Sequence, residues 1–132
     1  MQVFNPDGWP RPKGYSNAIV AEGRHLHIAG MVGWNPVTEK FETDDIAGQF
    51  KQALENVVAA LAAAGGKPEH VVRMTIYLGD ADEYNANLKN IGAGYREVMG
   101  MHFPVMAGIQ IAGFVEDGAK LEIEATAVLP ND

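Results

Sequence analysis

Between residues 44 and 64 the apolar positions Ile46, Phe50, Leu54, Val57 and Leu61 recur at intervals of four, four, three and four, one stripe of an α-helix. Asp44 and Asp45 precede it, where the free amides of a helix start favour negative charge, and Gly65-Gly66-Lys67-Pro68 stops it. The period then falls to two. In VVRMTIYLG (71–79), Val72, Met74, Ile76 and Leu78 alternate with Arg73, Thr75 and Tyr77, the pattern of a half-buried strand. Asp80 to Glu83 fits a capping box and opens a second helix carrying Tyr84, Leu88, Ile91, Tyr95 and Val98 or Met99. Gly92 and Gly94 weaken that helix by about 1 kcal/mol each relative to alanine, and they mark close packing or a break. Two strands follow, 105–113 and 119–129, joined by a turn at Phe114–Gly118. Ahead of the first helix, AIVAE (18–22) and HLHIAGM (25–31) flank Gly23-Arg24 as a tight hairpin, and GWNPVTEKFET (33–43) is loop. Residues 1–14 are expected to be an irregular arm, because Pro6, Pro10 and Pro12 supply no amide to a sheet.

The order is therefore β-β-α-β-α-β-β. Helices with single apolar stripes cover one face of a sheet, so the expected architecture is an α/β (α+β) two-layer sandwich, a mixed sheet with two helices on one face. The other face would carry Arg73, Thr75, Tyr77, Glu122, Glu124 and Thr126. It is semi-polar and uncovered, and an interface between copies is its expected use. With 132 residues, one domain spanning 1–132 is expected, since most domains run to ~100–150 residues.

Charge and cysteine content narrow the function classes. Ten basic against seventeen acidic residues leave −7, and the cations are scattered, so no nucleic acid is expected as a partner. The absence of cysteine removes disulfides, thiolate nucleophiles and cysteine metal sites, and it favours a cytoplasmic location. No apolar run approaches the ~20 residues of a membrane span, and the first residues lack the apolar region of a signal peptide.

Candidate chemistry is sparse. His25 and His27 share a strand face, but no third ligand is evident, so a structural role outweighs a metal site. Ser16 is the single serine and GYSNA is not a hydrolase elbow; no glycine cluster forms a phosphate loop. Glu122 and Glu124 share a strand face about 6–7 Å apart. There a carboxylate either activates water or is a solvated surface group, the second being twice as common. Trp9 and Trp34 sit beside prolines in loops, covering a pocket or packing locally.

The string PKGYSNAIVAEGRHLHIAGMVGWNP, the helix and strand QALENVVAALAAAGGKPEHVVRMTIYL, and the closing KLEIEATAV together resemble the YjgF/RidA-like (Rid) family, from about Pro12 to Val128. The resemblance implies the chorismate-mutase-like two-layer fold and a homotrimer with clefts between subunits. It also implies hydrolysis of 2-imino and enamine acids to 2-oxo acids and ammonia. In the active members an arginine in FPARS holds the substrate carboxylate by two parallel hydrogen bonds. Here the string is His102-Phe103-Pro104-Val105-Met106-Ala107, so Met106 stands in that place. Tyr15 matches the opening tyrosine and Glu122 the water-positioning glutamate. Gly30 is kept from SGQ, while Ala29 and Met31 replace its serine and glutamine. A cleft asparagine of the second helix would be Asn87 or Asn90.

The resemblance thus implies a trimeric hydrolase or deaminase acting on an enamine-, imine- or enol-like small molecule in an intersubunit cleft, with no cofactor and no metal. Glu122 and Tyr15 are its expected catalytic residues. Met106, Ala107, Gly108, Gly30, Met31 and Trp34 are its expected binding residues, giving a more apolar pocket than usual. The alternatives are a non-catalytic small-molecule binder or accessory protein, for which Met106 speaks, and, with less support, an endoribonuclease or translation inhibitor.

Overall fold

The computed structural model describes residues 1–132. A four-stranded sheet runs in the order β3 (Arg24–Val32), β6 (Leu121–Leu129), β4 (Val71–Leu78), β5 (Val105–Gln110). The strand β6 is antiparallel to both neighbours, whereas β4 and β5 are parallel, so the sheet is mixed. Helices α1 (Ile46–Ala63), α2 (Ala81–Ala86) and α3 (Leu88–Met99) cover one face. This is the expected two-layer sandwich.

The apolar stripe of α1 is buried throughout, from Ile46 at 2% exposure to Leu61 at 0%. Each such side chain contributes roughly 1.5–3 kcal/mol relative to leaving it in water. Asp45 caps the helix by accepting from the Gly48 amide at 3.0 Å, and Gly65, at φ +81°, ends it in a backbone conformation that side chains disfavour. Gln49 and Asn56 are the buried polar residues of α1; Asn56 donates to the carbonyls of Val32 and Trp34, and Gln49 ties more distant segments. The Gln49 amide donates to the carbonyls of Thr43 and Gly118 and accepts from the Lys120 amide, fastening the approaches to α1 and β6 to one another.

Several local expectations are corrected. Residues 18–20 do not form a hairpin with the strand that follows. They are β2 (Ala18–Val20), paired antiparallel with β1 (Gln2–Phe4) in a separate two-stranded ribbon, so the first fourteen residues are not wholly irregular. Gly23 has a different reason for being glycine: a Cβ there would stand 2.0 Å from the Leu129 carbonyl oxygen, because β6 passes directly over it. On β4 it is Val71 rather than Val72 that is fully buried, since the pairing with β6 slips between Val71 and Arg73. The second helix is two helices, broken at Asn87 and at neither glycine. Asp80 caps α2 through the Glu83 amide at 3.1 Å, but the Glu83 carboxylate turns to Lys120 Nζ (2.7 Å) instead of closing the box, as an opposite charge within reach is the stronger partner. Met99, not Val98, is the buried residue closing the stripe of α3, and Leu88 is 52% exposed. The strands β5 and β6 are joined in sequence but lie apart, with β4 between them.

Candidate functional site

The register of the sheet divides the expected site residues between its two faces. Met106 pairs with Met74, which is fully buried, so Met106 points toward the helices and packs on the core. Glu122 pairs with Tyr77, and Glu124 with Thr75, on the face the helices leave bare. Along β4 the partners of Met106 and Glu122 are three residues apart, roughly 10 Å at the usual strand rise. Opposite faces and two strands of separation keep Met106 and Glu122 of one chain out of a common pocket.

On the bare face, the carboxylate of Glu122 rests against Gly30: a Cβ on Gly30 would lie 2.5 Å from Oε2 and 2.8 Å from the carboxyl carbon. The pairing of β3 with β6 slips between Ile28 and Met31, which sets Gly30 under the carboxylate. Beside it, the Tyr77 hydroxyl donates to Glu124 Oε1 at 2.5 Å, and this bond holds the phenol above its ordinary pKa, with burial and the charge of Glu124 adding to it. His27, Arg73, Thr75 and Thr126 continue the polar surface. Polar groups so dense on one sheet face are what an aqueous cavity or a polar interface requires.

On the helix side, Met106 lines a cleft of about 310 Å³ between α3, the start of β5 and the N-terminal arm. Its walls include Tyr84, Tyr95 and Phe103; Lys13 and Arg96 are its charged residues. The Tyr95 ring stacks on Phe103 at 5.4 Å and its hydroxyl donates to the His102 carbonyl at 2.6 Å, while burial pushes the phenols of Tyr84 and Tyr95 upward in pKa. The arm is fastened here by Ser16, whose Oγ donates to the Phe103 carbonyl (2.6 Å) and whose amide donates to that of Pro104 (3.1 Å). Tyr15, half exposed at 42%, stands between that anchor and Gly14, a wall residue of the cleft.

The other expected residues fall as follows. Ala107 and Gly108 are exposed on the edge strand β5. Met31 pairs with Ile123 and packs on the core. Trp34 lies against Phe41 at 5.8 Å, a local contact. Asn87 is spent on the Glu83 carbonyl at 2.8 Å and Asn90 is exposed; neither lines the cleft. The rings of His25 and His27 are 6.5 Å apart, His70 accepts from the Lys67 amide and His102 contacts the Val71 carbonyl, so the four histidines occupy three separate places. Lys13 and Arg96 were not marked by the sequence. The available signal was the row Leu88, Gly92, Arg96 at intervals of four, running beside the buried row Ile91, Tyr95, Met99.

Residues 10–129 match the family described as Endoribonuclease L-PSP, a span that holds the whole four-stranded sheet and all three helices. The chain belongs to this family. Its Rid character is carried by a solved relative, a Rid-family protein of unknown function from Yersinia pestis, which superposes with a TM-score of 0.84 at 33% identity over 97% of this chain and 98% of that one. A RutC family protein of Pyrococcus horikoshii is 35% identical over 96% of both chains. The human 2-iminobutanoate/2-iminopropanoate deaminase is 32% identical over 86% of this chain and 79% of its own. Imine deaminases therefore stand among the relatives of this Rid-family chain, and the fold is theirs. No helix is long and apolar enough to cross a membrane.

Proposed function

We propose that this Rid-family chain is an imine or enamine deaminase-type hydrolase whose pocket is completed by a second copy of the chain in a homotrimer. The observation that carries the reading is the Glu122 carboxylate seated on Gly30, on a sheet face with nothing over it. Since Glu122 and the Met106 cleft lie on opposite faces, a pocket using both takes them from two copies. Packing the bare faces of three sheets around one axis brings each Glu122 toward a neighbour's edge strand β5, in keeping with closed cyclic symmetry.

In the reaction, Glu122 accepts a proton from water as its oxygen adds to the C=N carbon of the imine. That proton passes to nitrogen, giving the carbinolamine; its hydroxyl proton then follows to nitrogen as the C–N bond breaks, so the oxygen becomes the carbonyl of a 2-oxo acid and ammonia leaves. Tyr15, on the arm beside the cleft, closes over the ligand, and the exposed backbone of Ala107 and Gly108 offers hydrogen bonds to it. The reaction draws on no cofactor or metal, and the small ligand and the second copy are the partners it needs.

The test is ammonia release from 2-iminobutanoate and 2-iminopropanoate generated in situ by an amino-acid oxidase. The wild type is expected to accelerate release, and Glu122→Gln to lower kcat ~100-fold or more, the usual range for a general base. Wild-type protein with no acceleration overturns the reading. Met106, where active relatives of the resembling family hold an arginine, favours a second reading, a trimeric binder without turnover. It would be supported by ligand binding that Glu122→Gln leaves intact in a protein that releases no ammonia.

A further inference from the structure

The cleft beside Met106 lacks the arginine at position 106, yet it is not without positive charge. Lys13 from the arm and Arg96 from α3 both line it, no Asp or Glu does, and neither cation has a carboxylate within 4 Å. Of the ten cations of this chain only Arg24, Lys51 and Lys120 have such a partner, so what marks Lys13 and Arg96 is that they meet at one cleft with no acid in its walls. The exposed Arg96 side chain lies back along its own helix at this cleft. One turn earlier stands Gly92, and Arg96 Nη1 lies 3.3 Å from where a Cβ of that residue would be, so the side chain folds back over the gap the glycine leaves. The rest of the lining is largely apolar, with Met106, Phe103 and the rings of Tyr84 and Tyr95 among it.

We infer that Arg96, assisted by Lys13, binds the carboxylate of a small aliphatic 2-imino or 2-oxo acid in this cleft, with the aliphatic chain against Met106 and Phe103. The inference rests on the proposed deaminase reading for its substrate class. A guanidinium offers two parallel donors to a carboxylate, a geometry that Met106 cannot supply from the strand and that Arg96 supplies from the facing helix. The other unpaired guanidinium near β5 is that of Arg73, which does not line this cleft but a neighbouring one of about 330 Å³ that shares Met106, with Val105, Ala107 and Asn17 in its walls, so Arg73 is the competing candidate that the experiment must separate from Arg96. A largely apolar lining that also holds two cations selects a short amphiphilic anion, and a cleft of about 310 Å³ is of the size that small-molecule sites have.

The probe is 2-oxobutanoate, with its neutral analogue 2-oxobutanamide, titrated by NMR and calorimetry into wild type, Arg96→Gln, Arg96→Lys and Arg73→Gln at matched oligomeric state. The wild type is expected to bind the acid at least tenfold more tightly than the amide. Arg96→Gln is expected to abolish that preference, Arg96→Lys to keep part of it, and Arg73→Gln to keep all of it. No preference for the acid in wild type, or a preference that survives Arg96→Gln, overturns the inference; so does loss confined to Arg73→Gln. Deaminase activity with KM unchanged in Arg96→Gln overturns this inference and leaves the proposed reaction standing. Arg96-dependent binding of the acid in a protein that releases no ammonia does the reverse.

Discussion

A methyl group at Gly30 would displace the one carboxylate on which the proposed chemistry depends. Because the group it meets is the far end of a glutamate, the side chain swings aside at little cost, and the stability of Gly30→Ala is expected to fall by less than about 1 kcal/mol. Ammonia release should nonetheless drop by roughly tenfold or more, since a displaced base loses its alignment with water. Thermal unfolding and kcat measured on the same preparation separate the two effects. A kcat unchanged in a folded variant would mean that Glu122 has no part in the reaction. At Met106 a two-residue cycle applies: in an Arg96→Gln background, Met106→Arg is expected to bring KM back to within about threefold of wild type, because either position delivers a guanidinium to the same cleft. In the wild-type background the same substitution adds a third cation and should gain little.

At the level of elements, α3 carries an opposition between stability and binding. Replacing Gly92 by alanine removes backbone freedom that a helix interior does not need, a gain of about 0.5–1 kcal/mol. It also crowds the Arg96 guanidinium, so Gly92→Ala is expected to raise both Tm and the KM for an imino acid. Elsewhere Gln49→Ala breaks the bonds that tie α1 to the approach to β6 and leaves two carbonyls and an amide without their partner; a loss of roughly 2–4 kcal/mol in denaturant unfolding is expected. The helix α1, the strand β4 and the Asp80 cap were legible in the sequence because each is a local pattern: a stripe, an alternation, an oxygen three residues before an amide. The ribbon of β1 and β2 was not, because Gly23 reads equally well as a turn and as a point of close approach, and only the path of β6 decides between them. Glu122 and Gly30 were singled out through the family motif, but that they touch depends on the slip in register between β3 and β6, which the motif does not carry. That Arg96 shares a cleft with Met106 was not, since it depends on how α3 lies across β5.

For the whole molecule, the mass expected in solution at micromolar concentration is about 43 kDa, three copies of the 14.2 kDa chain. A 14 kDa species by light scattering would remove the pocket between copies along with the trimer. Alkaline pH should also act on the whole fold. Burial raises the phenol pKa of both Tyr84 and Tyr95, so the native state keeps protons that the unfolded chain sheds above about pH 10. Stability from these groups is full below that pH and is lost as pH rises toward their raised native values. Tyr95→Phe is expected to lower stability by about 1 kcal/mol at pH 7 through the lost bond to the His102 carbonyl, yet to flatten the fall of Tm between pH 9 and 11.

The position of β6 bears on how the chain comes off the ribosome. It is the last of the six strands to be synthesised, and it lies between β3 and β4, which have no hydrogen bonds to each other without it. Until residues 121–129 clear the exit tunnel, the nascent polypeptide holds three helices and the sheet strands β3, β4 and β5, with the edges of β3 and β4 that β6 will join left open, a state exposed to pairing with neighbouring chains on the same message. Translation arrested at residue 118 should therefore yield a protease-sensitive, chaperone-bound chain, and extension by a short linker past residue 129 should convert it to a resistant one in a single step.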